Sequence, residues 1–223
     1  MVADSDGATA STSFPLTLRN EMFRLIPTPF GGVRSGSMAW GDFDNDGDLD
    51  LALAGQGLNQ AVIYRNDGGG QFVKLNLDLP NVDGGGVEWG DFDNDGDLDL
   101  LIHGRGQSTG ALLVANIYRN TGGGNFELLN AGLTGLYGPA AWADYDNDGR
   151  LDIISTGDTL NSSYRTVIYH NEGDGRFVAI SPSIDAVGNA QLSWSGINNL
   201  WRDVDFDGNL LLDFVVSQRS TFP

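Results

Sequence analysis

The stretch WGDFDNDGDLD at residues 40–50 decides the fold, because it returns along the chain in the same form. It recurs unchanged at 89–99, as WADYDNDGRLD at 142–152, and more loosely as WRDVDFDGN at 201–209. The first aspartates of successive copies lie 49, 53 and 59 residues apart. Internal periods of about 20–50 residues are the signature of repeat architectures. The sequence therefore predicts a single domain, residues 1–223, built from four repeats.

Each copy is followed by short apolar runs that are typical of buried strands. The first runs lie at 51–54, 100–102, 153–154 and 214–216. A Tyr-Arg-Asn or Tyr-His-Asn motif follows at 64–66, 118–120 and 169–171, then a glycine-rich turn, then a phenylalanine six residues after the asparagine. Four antiparallel strands in about 50 residues make one propeller blade. We therefore predict an all-β fold, a β-propeller of four four-stranded blades.

The two ends of the chain hold complementary parts of one blade. The fourth copy is followed by a single strand, whereas residues 14–26 offer two strands with no blade of their own, after a flexible segment at 1–13. We expect these N-terminal strands to complete the last blade, so that no sheet edge stays open. The last blade can be completed in cis, by the N-terminal strands of the same molecule, or in trans, by those of a neighbouring subunit.

The acidic stretch itself has the pattern of a metal loop, Asp-x-Asp-x-Asp-Gly-x-x-Asp. Alternating carboxylates point inward when the backbone curls, glycine at position 6 permits the turn, and position 7 supplies a backbone carbonyl. Oxygen-only ligands favour Ca²⁺, with Mg²⁺ as the smaller alternative. The predicted ligands of the first three loops, 42–50, 91–99 and 144–152, are Asp42, Asp44, Asp46, Asp48, Asp50, Asp91, Asp93, Asp95, Asp97, Asp99, Asp144, Asp146, Asp148, Arg150 and Asp152.

The fourth loop, 203–213, departs from the pattern because Leu211 stands at position 9. Either a two-residue insertion brings Asp213 round to the ion, or the site is incomplete. Its predicted ligands are Asp203, Asp205, Asp207, Asn209 and Asp213. The sequence thus predicts three calcium sites, and a fourth if Asp213 completes the last loop.

This loop and the repeats around it resemble the FG-GAP or VCBS repeat family, which includes the propeller domains of integrin α subunits. Bacterial secreted and surface members are especially similar, through the Tyr-Arg-Asn-x-Gly-Gly-Gly-x-Phe turn. The resemblance implies a β-propeller with calcium in the loops between inner strands, usually with seven or eight blades, whereas this chain carries four loops. It also implies a secreted, extracellular or cell-surface protein, although Met1–Gly7 shows no cleavable signal.

Composition excludes several partners. The net charge of −18 argues against binding to nucleic acid or to an anionic membrane surface. The chain has no apolar run of membrane-spanning length, so we expect no insertion into a membrane. Its lack of cysteine removes disulfides and thiolate metal sites.

Few other residues point to chemistry. Trp40, Trp89, Trp142 and Trp201 precede the loops, and we expect them to pack between blades rather than to form a sugar-stacking ring. His103 and His170 occupy unrelated repeat positions and are expected to be structural or surface residues. An enzyme would need acids outside the loops, such as Glu88, Glu127 or Asp158, and no motif marks them as catalytic.

The segments 104–110, 157–165 and 181–196 vary most between repeats, and such loops on a rigid scaffold commonly carry binding. The sequence therefore favours a non-catalytic calcium-binding module for binding, adhesion or assembly, contacting protein or glycan through these loops. Two alternatives stay open: a structural subunit that polymerises by strand exchange, and a calcium-dependent polysaccharide-active enzyme.

Overall fold

The computed structural model of the chain describes residues 27–107, 112–161 and 163–180. These ranges contain strands, turns and bends but no helix, and hence no helix that could span a membrane. The all-β prediction is confirmed for this part of the chain. The predictions for residues 1–13 (flexible), 14–26 (closing strands) and 203–213 (fourth loop) concern residues outside it.

The described strands form three antiparallel sheets of four, each in simple sequence order. Sheet 1 consists of β1 (Arg34–Gly41), β2 (Asp50–Gln56), β3 (Val62–Asn66) and β4 (Phe72–Lys74). Sheet 2 consists of β5 (Val82–Gly90), β6 (Asp99–Gly106), β7 (Leu113–Asn120) and β8 (Phe126–Leu129). Sheet 3 consists of β9 (Ala140–Ala143), β10 (Asp152–Asp158), β11 (Tyr164–Asn171) and β12 (Phe177–Ile180). The four-stranded blade is thus seen three times; the blade count and ring closure remain predictions.

The sheets stack face to face, which explains why the second strand of each is apolar on both sides. In β6, Leu100 and Ile102 pack into a core that includes Ile63 of sheet 1. Leu101, on the opposite face, packs into a core that includes Ile153 and Tyr169 of sheet 3. A strand buried on both faces reads as a continuous apolar run, as the sequence shows here.

Tryptophans join neighbouring sheets. Trp89 stacks on Phe43 of the preceding sheet with ring centroids 5.8 Å apart, and Trp142 stacks on Phe92 at 6.2 Å. The packing prediction is confirmed for these two residues. Trp40 is 49% exposed, and Trp201 lies outside the described residues.

His103 links sheets 2 and 3 from a fully buried position. Its Nδ1 lies 2.9 Å from the Gly138 carbonyl oxygen, and its Nε2 lies 3.3 Å from the amide nitrogen of Ala140. Nδ1 must therefore donate and Nε2 accept, which is the neutral ring. Burial lowers the pKa of His103 to about 4. Of the two roles expected for His103, structural or surface, the structure shows the structural one.

Candidate metal centre

The three acidic loops lie at the same place in each sheet, between its first and second strands. Each begins one residue after the first strand, and its position 9 is the first residue of the second strand. At position 4, Asn45, Asn94 and Asn147 have φ angles of 59°, 59° and 63°. At position 6, the glycines have φ angles of 94°, 93° and 87°. Such left-handed backbone suits asparagine and glycine, which confirms the turn role predicted for position 6.

Position 1 closes the loop on itself. Asp91 accepts the N–H groups of Asp95 and Gly96, both at 3.0 Å, one on each carboxylate oxygen. Asp42 and Asp144 make the equivalent pairs of hydrogen bonds in their own loops. Position 5 adds one more bond, because its Oδ1 accepts the N–H of position 7 at 2.9 Å in all three loops. The backbone curl is therefore fixed by the carboxylates themselves.

Position 9 connects the loop to the sheet. Asp99 is fully buried; its Oδ2 accepts the N–H of Phe92 at 3.1 Å and its Oδ1 that of Asn120 at 2.8 Å. Asp50 and Asp152 are bound in the same way. Burial raises the pKa of Asp50 to about 6 and that of Asp99 to about 7, and it also raises the pKa of Asp152. Negative charge is costly at these positions without a cation.

Position 3 differs from the others, because it carries an oxygen with no partner. The Oδ1 atoms of Asp44, Asp93 and Asp146 are buried and accept no hydrogen bond. Burial, followed by the charge of the neighbouring position-5 aspartate, raises the pKa of Asp44 and of Asp93. A buried acceptor without a hydrogen bond lowers the stability of the fold unless a bound ion or water satisfies it. The same orphaned atom in three loops fits a divalent cation at this point.

The carboxylates converge differently in the third loop. Positions 1, 3 and 9 bring their oxygens within 4.8 Å of one another in the first two loops, as Asp42, Asp44 and Asp50 and as Asp91, Asp93 and Asp99. In the third loop the groups within that distance are Asp144 with Asp146 and Asp148, and Asp146 with Asp152 and His170. These residues could hold a metal ion in each described loop.

The position 7 side chains of the second and third loops bind other polar groups of the protein. Asp97 Oδ1 accepts a hydrogen bond from Asn45 of the preceding loop at 2.8 Å. Arg150 pairs with Asp148 and donates from Nε to the Asn171 carbonyl at 2.7 Å. These placements are compatible with the predicted role of position 7 as a backbone carbonyl ligand.

Two features of the site were not anticipated from the sequence. The asparagine that ends the Tyr-Arg-Asn motif bridges sheets: Asn120 Nδ2 donates to the Phe43 carbonyl at 2.7 Å, and Asn171 Nδ2 to that of Phe92 at 2.8 Å. His170, expected to be structural or on the surface, lies beside Asp146 and Asp152 of the third loop. Its place in the Arg position of the motif was the available signal.

Comparison with known proteins agrees with this arrangement. The FG-GAP-like repeat matches residues 42–102 and 144–216, more than half of the chain. No curated protein and no solved structure matches it. Because the match covers more than half of the chain and includes the three described loops, the chain belongs to the FG-GAP-like repeat family.

Proposed function

We propose that the chain is a calcium-stabilised, non-catalytic β-propeller module that acts outside the cell in binding, adhesion or assembly. The observation that carries the calcium part is the orphaned Oδ1 of position 3, buried in all three described loops. All candidate ligands of the first two loops are oxygens, which suit a hard cation. Extracellular modules bind calcium with dissociation constants of about 10⁻⁴–10⁻³ M, which matches an environment rich in that ion.

Calcium would act mainly on stability. Each loop ties the first strand of a sheet to the second, and position 9 reaches the third through the N–H of Asn66, Asn120 or Asn171. An ion bound only by the folded chain raises its stability by mass action. The loops would therefore lock three strands of each blade when calcium is present.

The calcium proposal is tested by thermal unfolding in calcium and in excess EGTA, with Asp93→Asn beside the wild type. We expect a clear fall in Tm in EGTA and a smaller calcium-dependent gain in the variant, because Asp93 supplies one of the orphaned oxygens. Asp78→Asn, an exposed carboxylate outside the loops, is the matched control. A Tm that is the same with calcium and with EGTA would contradict the proposal.

The partner surface is proposed at the other end of the sheets. The β6–β7 and β10–β11 connections, which overlap the variable segments 104–110 and 157–165, join second to third strands, whereas the metal loops join first to second. The two sets therefore lie at opposite ends of the strands. Because β2 spans Asp50–Gln56, the separation is about 20 Å along a strand. Metal binding and partner binding would thus be spatially distinct.

A chain of polar contacts runs across that far end and supports its use as a surface. Arg34 donates to Gln56 at 2.9 Å, and Gln56 donates to Asp83 at 2.7 Å. Arg105 donates to Asp83 from two nitrogens, at 3.0 and 2.8 Å, and its guanidinium lies 4.8 Å from the Tyr137 ring centroid. These contacts fix two arginines and an aromatic ring in place, which suits recognition of a polar protein or glycan surface. An array of acidic and neutral glycans with Arg105→Gln as the variant tests it; equal binding by both proteins would contradict a role for this end.

A non-catalytic role is proposed because the acids named as enzyme candidates are dispersed. Glu88, Glu127 and Asp158 lie on β5, β8 and β10. Asp158 caps its own turn by accepting the N–H of Leu160 at 2.7 Å. Activity screening on polysaccharides tests this part, and turnover that is lost in a Glu88→Gln variant would overturn it.

Assembly by strand exchange is the alternative within the same proposal. It requires the predicted closing strands 14–26 to pair with the last blade of a neighbouring subunit. Light scattering coupled to size-exclusion chromatography separates the two arrangements. A monomer at high concentration excludes polymerisation, and concentration-dependent growth supports it.

A further inference from the structure

His170 occupies, in sheet 3, the place that an arginine holds in the other two sheets. The motif residues Arg65 and Arg119 precede Asn66 and Asn120, as His170 precedes Asn171. Arg119 lies with Nε 3.0 Å from Asp93 Oδ2, so that a fixed positive charge stands beside the second loop. A guanidinium has no lone pair to offer a metal, whereas an imidazole nitrogen is a common ligand.

The histidine nitrogen faces the third loop directly. His170 Nδ1 lies 3.2 Å from Asp152 Oδ1 and 3.4 Å from Asp146 Oδ2. Nδ1 is buried although the side chain as a whole is 22% exposed, and it forms no hydrogen bond with either carboxylate. The neighbouring Oδ1 of Asp146 is likewise buried and without a partner. His170 and the neighbouring Asp146 thus each have one buried polar atom without a hydrogen-bond partner.

The spacing of these atoms matches that of a metal shell. A tetrahedral ion with bonds of about 2.0–2.1 Å holds its ligand atoms about 3.3 Å apart. The separations from His170 Nδ1 to the two carboxylates, 3.2 and 3.4 Å, bracket that value. The ring is held edge-on against Tyr145, with centroids 5.9 Å apart, so its orientation is supported from the side.

We propose that the third loop is a mixed nitrogen–oxygen site, formed by His170, Asp146 and Asp152, that takes a borderline divalent cation of the Zn²⁺ class. Imidazole shifts a site towards such ions, whereas carboxylates alone favour Ca²⁺. The first two loops, with arginine in the same place, bind only the hard cation. The proposal rests on the proposed function in one respect: it treats these loops as cation sites.

Calorimetric titration of Zn²⁺ into the full chain in a fixed millimolar excess of Ca²⁺ tests the site. We expect one equivalent to bind, at least about tenfold more weakly in His170→Arg, because a ligand is lost. This variant carries the residue that sheets 1 and 2 already accommodate, and an unchanged Tm in calcium shows that it folds. Equal Zn²⁺ affinity in both proteins would overturn the proposal.

Nuclear magnetic resonance of the imidazole ¹⁵N nuclei identifies the ligand atom. The chain has two histidines and no cysteine, and both nitrogens of His103 already bind backbone groups. Zn²⁺ is therefore expected to shift the Nδ1 resonance of His170 and to leave His103 unchanged in a protein without a histidine tag. If His170 serves only as an ion-pair partner of the two aspartates, its resonances will not respond to Zn²⁺.

The reverse substitution supplies a gain of function. Arg119→His places an imidazole beside Asp93 and Asp99, so Zn²⁺ binding should rise from one equivalent to two.

A loss of Ca²⁺ binding at every loop with the His170 response retained would contradict the proposed function and support this site. If the loops bind Ca²⁺ and the third loop shows no preference for Zn²⁺, the proposed function is supported and this site is contradicted.

Discussion

The second and third acidic loops share their curl but differ in what surrounds it. Both fix positions 1, 5 and 9 with the same backbone hydrogen bonds, and both leave one oxygen of position 3 unpaired. The second loop has Asp97 at position 7 and Arg119 nearby, whereas the third has Arg150 and His170. Arginine stands at the motif position beside the second loop and at position 7 of the third loop, where histidine holds the motif position. The frame is thus a property of the fold, and under our proposal the surrounding residues would determine which cation each loop binds.

The shared frame predicts the largest effect. Asp99→Ala and Asp152→Ala should each lower the free energy of unfolding in calcium by about 2–5 kcal/mol, because two backbone N–H groups lose their acceptor. The two losses should be similar, since the hydrogen bonds are the same in both loops. Urea denaturation in millimolar calcium measures them. A small loss at either loop would show that position 9 does not connect its strands.

The contact between sheets predicts the next effect. A Cβ on Gly90 would lie 2.7 Å from Cδ1 of Trp142, so Gly90→Ala should cost about 1–3 kcal/mol of stability. The third sheet already has Ala143 at this position, and Ala143→Gly should change stability by less than about 1 kcal/mol. Gly32→Ala, where the added atom meets nothing within 4 Å, is the control. If Gly90→Ala is as mild as the control, the tryptophan is not held tightly between the sheets.

Glu88 should make the stability of sheet 2 depend on pH in a way that sheets 1 and 3 do not share. The equivalent residues of those sheets are Ala39 and Ala141, which do not titrate. Burial raises the pKa of Glu88 to about 7. The folded chain therefore keeps a proton that the unfolded chain releases, and stability is lost as pH rises through 7. Glu88→Gln should stabilise the protein by about 1–3 kcal/mol at pH 8 and by much less at pH 5.

Glu127→Gln, at an exposed position on β8, is the control for that comparison. Chemical denaturation of both variants at the two pH values gives the result. A gain for Glu88→Gln that is equal at pH 5 and pH 8 would contradict the burial argument.

Contacts between adjacent loops predict the smallest effect. Asn45 Nδ2 donates to both Asp97 Oδ1 at 2.8 Å and the Gly96 carbonyl at 3.3 Å, whereas Asn94 Nδ2 donates to the Gly149 carbonyl at 2.9 Å. Hydrogen bonds to charged groups are the stronger ones. Asn45→Ala should therefore weaken calcium binding several-fold, and Asn94→Ala by less. Calcium titration of the two variants measures the order, and a reversed order would exclude Asp97 as the reason.

Much of this molecule follows from its repeats. The aspartates at loop positions 1, 3, 5 and 9, the glycine at position 6, the buried second strands and the glycine turns are local features, so consecutive residues are enough to predict them. What could not be predicted depends on how sheets stack. The bonds from Asn120 and Asn171 to the preceding loop cross between sheets. The contact of His170 with Asp146 and Asp152 lies within one sheet, but it joins residues about 20 positions apart in sequence.

A crystal structure of the chain grown in millimolar calcium, with anomalous scattering to locate the ion, tests the central claim most directly. We predict an ion about 2.3–2.6 Å from the Oδ1 atoms of Asp44 and Asp93, and a cation at Asp146 as well. Loops that contain no ion under these conditions, with those three oxygens bound instead to water or protein groups, would contradict it.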